Sequence, residues 1–229
     1  RDKDITYGDK VNITVNVTGE AKGFITIRIN ETRNVTLPIV NGKVNWIVEG
    51  LGVENYTVYA NYSGDGKYNI NSTSKAFKVT KVISAITIEE STADAATNAT
   101  IVVKINETAT GNITITVNGT KYNATIENGV ATFTINKLLA GKYNITAEYI
   151  GDDNNTPVAR TTLVDGLTIT KVDCYQINVT AKDTKVDLNT TVVVKVPADA
   201  VGNVSICIDG TVKHNVTISH GVAEWNVTM

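Results

Sequence analysis

Nineteen of the 25 asparagines open an N-x-S/T triplet, the acceptor pattern for an N-linked glycan: Asn12, Asn16, Asn30, Asn34, Asn55, Asn61, Asn71, Asn98, Asn106, Asn112, Asn118, Asn123, Asn144, Asn154, Asn178, Asn189, Asn203, Asn215 and Asn226. Random order at this Ser and Thr content gives about four to five. Strand alternation puts polar residues two apart and raises that number, but equally in both directions. The reversed order S/T-x-N occurs only five times, at Asn16, Asn34, Asn112, Asn118 and Asn136. The excess therefore has a direction that neither composition nor alternation supplies, and it reads as selection for acceptor amides on a chain outside the cell. Triplets in turns, at Asn30, Asn71, Asn106, Asn118 and Asn154, are expected to be modified ahead of mid-strand ones such as Asn12 and Asn144, because a sheet-paired backbone is harder for a transferase to reach.

Groupings for other chemistry are thin. The two histidines, His214 and His220, lie late in the chain, and His220 stands in a turn position that asparagine takes elsewhere, so an exposed turn residue is expected and no catalytic pair. Asp65, Asp152 and Asp153 supply one or two carboxylates per loop, short of the six to eight oxygens that calcium takes; turn-forming aspartates are expected, and no metal site. A buried Lys-to-Asn/Asp crosslink needs polar groups in a core whose inward positions are aliphatic, aromatic or Ala. Cys174 and Cys207 fall, by register, in a linker and on an outward face, which argues against a bridge, while their redox state stays open. Trp46, Phe133, Trp225, Tyr56, Tyr62, Tyr143 and Tyr149 all fall on the inward register, and Tyr59, Tyr122 and Tyr175, scattered over three repeats, make no carbohydrate-binding platform. No cofactor is expected.

The polar half of the chain is filled by 34 Thr and 25 Asn against 3 Pro, 3 Phe and 1 Met, a strand former and a turn former, so an all-β fold follows from composition. The 229 residues are 42% hydrophobic and 19% charged with a net charge of -2, which excludes disorder and a basic nucleic-acid surface. No apolar run is long enough to span a membrane. The chain opens on Arg1 and its one methionine is Met229, so a piece of a longer product is expected, with no leader to read.

Three copies of one pattern carry these residues. With Gly23, Gly111 and Gly202 in register, apolar alternations precede them at Val11, Ile13, Val15; at Ala99, Ile101, Val103; and at Val192, Val194. Others follow at Ile25, Ile27, Ile29; at Ile113, Ile115, Val117; and at Val204, Ile206, Ile208. A period of two means half-buried strands. Asn41-Gly42, Asn128-Gly129 and His220-Gly221 then suit the positive φ angles of a tight hairpin, with Trp46, Phe133 and Trp225 four residues beyond the glycine. The first two copies continue with a strand opening at Tyr56 and Tyr143, a closing turn at Gly64-Asp65 and Gly151-Asp152, and an ending at Val79-Thr80-Lys81-Val82 and Ile169-Thr170-Lys171-Val172.

About seven short strands per copy read as tandem immunoglobulin-like β-sandwich domains over 1–82, 83–172 and 173–229, in a rod-like array. Tyr56 and Tyr143 would be corner tyrosines whose hydroxyls return to the backbone. The Y-x-G-D closing hairpin, the Gly111 to Gly119 strand G-N-I-T-I-T-V-N-G and the T-K-V ending resemble the bacterial-type Ig-like (Big) repeats of adhesin-like cell-surface proteins of methanogenic archaea. That resemblance implies a long extracellular surface protein and brings no catalytic residue.

By the repeat's own ruler both ends are incomplete. Asp4-Ile5-Thr6 stands where the second copy has a first strand at Ala85 to Ile88, and the third copy lacks its last two strands. The expected function is a non-enzymatic, N-glycosylated adhesin stalk that projects a distal binding region. Its partners, other cells and host or surface glycans, would be met through regions outside this segment. The alternative is a filament or surface-layer subunit that self-associates through these modules, with strand donation as one route.

Overall fold

The computed structural model describes residues 5–173, 175–185, 188–210 and 212–228. Its regular structure is all strand, and it divides into two compact units, Arg1–Thr170 and Lys171–Met229. No helix among the described residues is long and apolar enough to cross a membrane.

The first repeat contributes β1 (Ile5–Thr6), β2 (Val11–Asn16), β3 (Phe24–Ile29), β4 (Arg33–Pro38), β5 (Lys43–Val48), β6 (Asn55–Tyr62) and β7 (Asn71–Thr80). One sheet runs β1-β7-β6-β3-β4 and the other is the pair β2-β5. The alternations decide what faces inward: Ile25, Ile27 and Ile29 of β3 lie against Val11 and Ile13 of β2 and Val44 and Val48 of β5. Each such isoleucine contributes ~1.5–3 kcal/mol by leaving water.

The second repeat contributes β8 (Thr87–Ile88), β9 (Ser91–Asp94), β10 (Ala99–Lys104), β11 (Asn112–Val117), β12 (Thr120–Thr125), β13 (Val130–Ile135), β14 (Gly141–Tyr149) and β15 (Val158–Thr170). Its sheets are β13-β10-β8 and β12-β11-β14-β15-β9. The third contributes β16 (Asn178–Ala181), β17 (Thr190–Lys195), β18 (Asn203–Ile208), β19 (Val212–Thr217) and β20 (Val222–Val227), in sheets β16-β17-β20 and β18-β19.

Both corner tyrosines close as the sequence predicts: the Tyr56 hydroxyl donates to the Gly52 carbonyl at 3.1 Å and that of Tyr143 to Leu139 at 2.8 Å. The three turns also hold positive φ, at 50° and 71° for Asn41-Gly42, 50° and 76° for Asn128-Gly129, and 48° and 76° for His220-Gly221. They do not join paired strands, however. Each is an isolated bridge where the chain leaves one sheet for the other, β4 pairing with β3 and β5 with β2. A Cβ on Gly129 would lie 2.8 Å from the Ile105 carbonyl oxygen, and one on Gly221 would lie 2.7 Å from the Ala198 Cα, so glycine is required by close approach as well as by φ.

Two expectations need correction, and the inward register of the aromatics holds with differences of depth. Ile5-Thr6 is not the counterpart of the first strand at Ala85 to Ile88: β1 runs parallel to β7 as β9 runs parallel to β15, so its counterpart is Ala93-Asp94. Trp46, Trp225, Tyr62 and Tyr143 face inward but only half-buried, whereas Phe133, Tyr149 and Tyr56 are buried. Tyr122 is not outward; it lies opposite Ile115 and packs on the second core.

Candidate functional site

Sixteen of the nineteen sequon asparagines are exposed, and the half-buried three are Asn30, Asn106 and Asn154. The expected order of access is therefore reversed at these positions. Mid-strand Asn12 and Asn144 point to solvent because alternation turns them outward, while three of the five turn sites fold back onto the protein. Positions recur between repeats: Asn112 and Asn203 open β11 and β18, and Asn123 and Asn215 stand opposite Thr114 and Ser205 on the adjacent strand.

Where these carboxamides bond to the fold, the oxygen does so. Asn30 Oδ1 accepts from the Thr57 amide at 2.8 Å, Asn144 Oδ1 from the Asp165 amide at 2.9 Å, Asn123 Oδ1 from Thr114 Oγ1 at 2.6 Å and Asn226 Oδ1 from Thr191 Oγ1 at 2.7 Å. A glycan is carried on Nδ2, so these bonds are compatible with modification. Asn106 differs: its Oδ1 accepts from the Ala85 amide at 3.1 Å and its Nδ2 points at the Ile83 carbonyl oxygen at 3.5 Å.

The closing turns are hubs. Asp65 accepts from the amides of Lys22, Lys67 and Tyr68 at 2.7 to 2.8 Å, and these donors hold its carboxyl well below the usual range. Asp152 accepts from the Thr110 amide and hydroxyl, the Asn154 and Asn155 amides and Asn155 Nδ2. Burial pushes this carboxyl up, but the donors outweigh it and hold it well below the ordinary value. The Tyr149 hydroxyl sits 2.9 Å from Asp152 Oδ2, and burial followed by that carboxylate pushes the phenol up to about 12. Turn-forming aspartate describes the local half of this; the sequence gives no sign of the donors some 40 residues upstream, at Lys22 and Thr110, beyond their place just before Gly23 and Gly111.

At the same end of the second repeat the incoming linker docks. The Val82 amide donates to the Asn154 carbonyl at 2.8 Å, Val82 accepts from the Thr156 amide at 2.9 Å, and the Ser84 amide donates to Thr156 Oγ1 at 2.9 Å. Asn155, the one polar residue buried outright among the described residues, donates to the Thr108 carbonyl oxygen and accepts from Thr108 Oγ1, both at 2.9 Å.

His214 stacks on Trp225 with centroids 5.0 Å apart, at the position Tyr122 takes in the second repeat. His220 Nδ1 lies 3.2 Å from Ser219 Oγ on an exposed turn. Asp65 and Asp152 spend their oxygens on protein donors, and no group of three or more His, Cys, Asp or Glu among the described residues could hold a metal. Cys207 is exposed, and Cys174, with the question of a bridge, lies outside the described residues.

Between β2 and β7 of the first repeat a groove remains, with a volume of about 550 Å³ at the end lined by Val15, Val17, Ile25, Ala60, Tyr62 and Tyr68. In the second and third repeats the corresponding strand edge is held by β8 and β16.

A model of the bacterial Ig-like domain (group 3) matches residues 2–81 and again 86–165. The chain belongs to the bacterial Ig-like family. Its two matched Ig-like repeats are the two sandwiches described above. Among solved structures it is similar to the fibronectin(III)-like modules of Clostridium thermocellum CbhA, at 12% identity over 74% of this chain and 90% of that one, with a TM-score of 0.30. The titin A168–A169 structure matches at 13% over 73% and 93%, with a TM-score of 0.35. A Bacteroides ovatus mixed-linkage glucan utilization protein, SGBP-B, matches at 15% over 98% and 64%, with a TM-score of 0.25. No curated protein matches the Ig-like chain.

Proposed function

We propose that this chain is a non-enzymatic spacer of an extracellular, adhesin-like surface protein, in which N-glycosylated Ig-like repeats carry a binding region away from the envelope. The observation that carries the reading is the directional excess of sequons together with their placement: sixteen of nineteen asparagines are exposed. Glycans at that density would cover the polar sheet faces, hinder proteases and block pairing at strand edges. Contact with other cells or with surface glycans then falls to regions outside this segment. Site-resolved glycopeptide mass spectrometry on protein from its native source, with protease shaving of intact cells, tests it. Glycans on strand-face sites such as Asn112 and Asn123 and release of this segment by shaving are expected; an unmodified, protease-inaccessible segment would refute it.

A second reading, self-association into a filament, is favoured by two strand edges that are open among the described residues while their counterparts in the second repeat are paired: β2, whose counterpart β10 pairs with β8, and β18, whose counterpart β11 pairs with β14. Concentration-dependent polymerisation of the isolated chain, lost on placing proline in β18 at Ser205, would support it. A chain that stays monomeric at millimolar concentration would exclude it.

A further inference from the structure

The sequons at Asn106 and Asn154 differ from the rest in what their own residues do. Asn106 bonds the linker through both ends of its carboxamide, at Ala85 and Ile83. Thr108, the hydroxyl residue of the same triplet, donates to buried Asn155, the middle residue of the other triplet. Thr156, the hydroxyl residue of that second triplet, accepts from the Ser84 amide, and the Asn154 carbonyl accepts from Val82. Asn106, the Asn154 carbonyl and Thr156 thus bond one short stretch of linker, and the Thr108–Asn155 bond ties the two triplets together. The equivalent of Asn106 is Thr18 in the first repeat and Pro197 in the third, so the device belongs to the second repeat alone, whereas strand-face sites recur.

We propose that these two triplets form a clasp that docks residues 82–85 onto the second repeat, and that the docked linker and a glycan on Asn106 exclude each other, so that Asn106 stays unmodified in the folded protein. Nδ2 is the atom a glycan would occupy, and it faces the Ile83 carbonyl. Transferase recognition also needs the Asn and the Thr of a triplet presented together, and here both are bonded to the fold. The exclusion rests on the glycan reading above; the clasp does not.

Hydrogen exchange on the unmodified 229-residue chain tests the clasp. In wild type the amides of Val82, Ser84 and Ala85 should be protected. Asn106→Ala should speed exchange at Ala85, and Thr156→Val at Ser84, by at least tenfold, with the β10 and β13 amides unchanged as proof that the sandwich is folded. Unchanged exchange at Ser84 and Ala85 would overturn the clasp. Site-resolved glycopeptide analysis of native protein tests the exclusion, with Asn106 bare while Asn112 in the same stretch is occupied. Equal occupancy at both would overturn the exclusion and leave the glycan reading standing. Absence of glycan at every sequon would defeat the glycan reading and the exclusion together, the exchange result then deciding the clasp alone.

Discussion

The first and second repeats carry the same motifs at different depths. Phe133 is 2% exposed where its counterpart Trp46 is half-buried, Tyr149 is 2% exposed where Tyr62 is half-buried, and Asp152 holds a buried carboxamide beside its phenol where Asp65 has backbone amides and the Tyr62 phenol. The difference follows from the edges of the sandwich. In the second repeat Ile86 and Ile88 lie over the core and β8 pairs with β10, while the β2 edge of the first repeat borders a groove. A motif places a side chain on the inward face, and the strand across from it decides how much water that face sees.

The largest effect expected is in the aromatic pair. Phe133→Ala should destabilise the second repeat by ~3–5 kcal/mol, and Trp46→Ala should cost the first repeat about 2 kcal/mol, because a half-buried ring leaves less of a cavity. Denaturant unfolding of each variant checks this, and equal losses would remove the contrast. Asp152→Ala should come next at about 2 kcal/mol, since it leaves the part-buried donors of Asn154 and of buried Asn155 without their acceptor, with a smaller loss for Asp65→Ala, whose donors can turn to water.

The same aspartates give a pH signature. In the unfolded chain both titrate near 3.9, and in the folded chain both lie lower, so their stabilisation is complete above about pH 4 and is lost as pH falls toward their folded values. Melting temperatures followed from pH 7 to pH 2 should drop more for wild type than for Asp152→Asn, and parallel curves would mean that the hub does not favour the charged form. At the alkaline end Tyr149 acts in the opposite sense: raised to about 12, its contribution is present below pH 10 and disappears as pH rises from there toward 12. Smaller again, Ile88→Ala should cost about 1–2 kcal/mol and hasten exchange along β10, moving the second repeat toward the first. Tyr143→Phe and Tyr56→Phe should each cost about 1 kcal/mol, the worth of one corner hydrogen bond.

Much of this architecture is legible in the chain because its signals are short-range. Alternation at Ile25, Ile27 and Ile29 names a strand and its buried face, a Gly after Asn128 names a positive-φ turn, and Tyr143 four residues beyond Leu139 names a corner. The Asn-Gly turns close with both bonds of a tight hairpin but no paired strands follow, because the φ preference of Asn-Gly is local, whereas which sheet each flanking strand joins is not. The reduced exposure of Asn30, Asn106 and Asn154 escapes the sequence for the same reason. That Asn106 and Asn154 lie in loops says nothing of a linker that comes back to meet them.

The chain alone settles the main alternating strands and most of their inward faces, the corner tyrosines and the directional run of sequons, each a matter of residues within a few positions of one another. Folding adds the depth of Phe133 against Trp46, the donors that Thr110 brings to Asp152 across 42 residues, and the contact of Asn106 with Ala85 across 21. Those depend on which distant segment closes the far side of a face or loop. A backbone amide or a covering isoleucine is interchangeable with many others in sequence, and only its position in space gives it a partner.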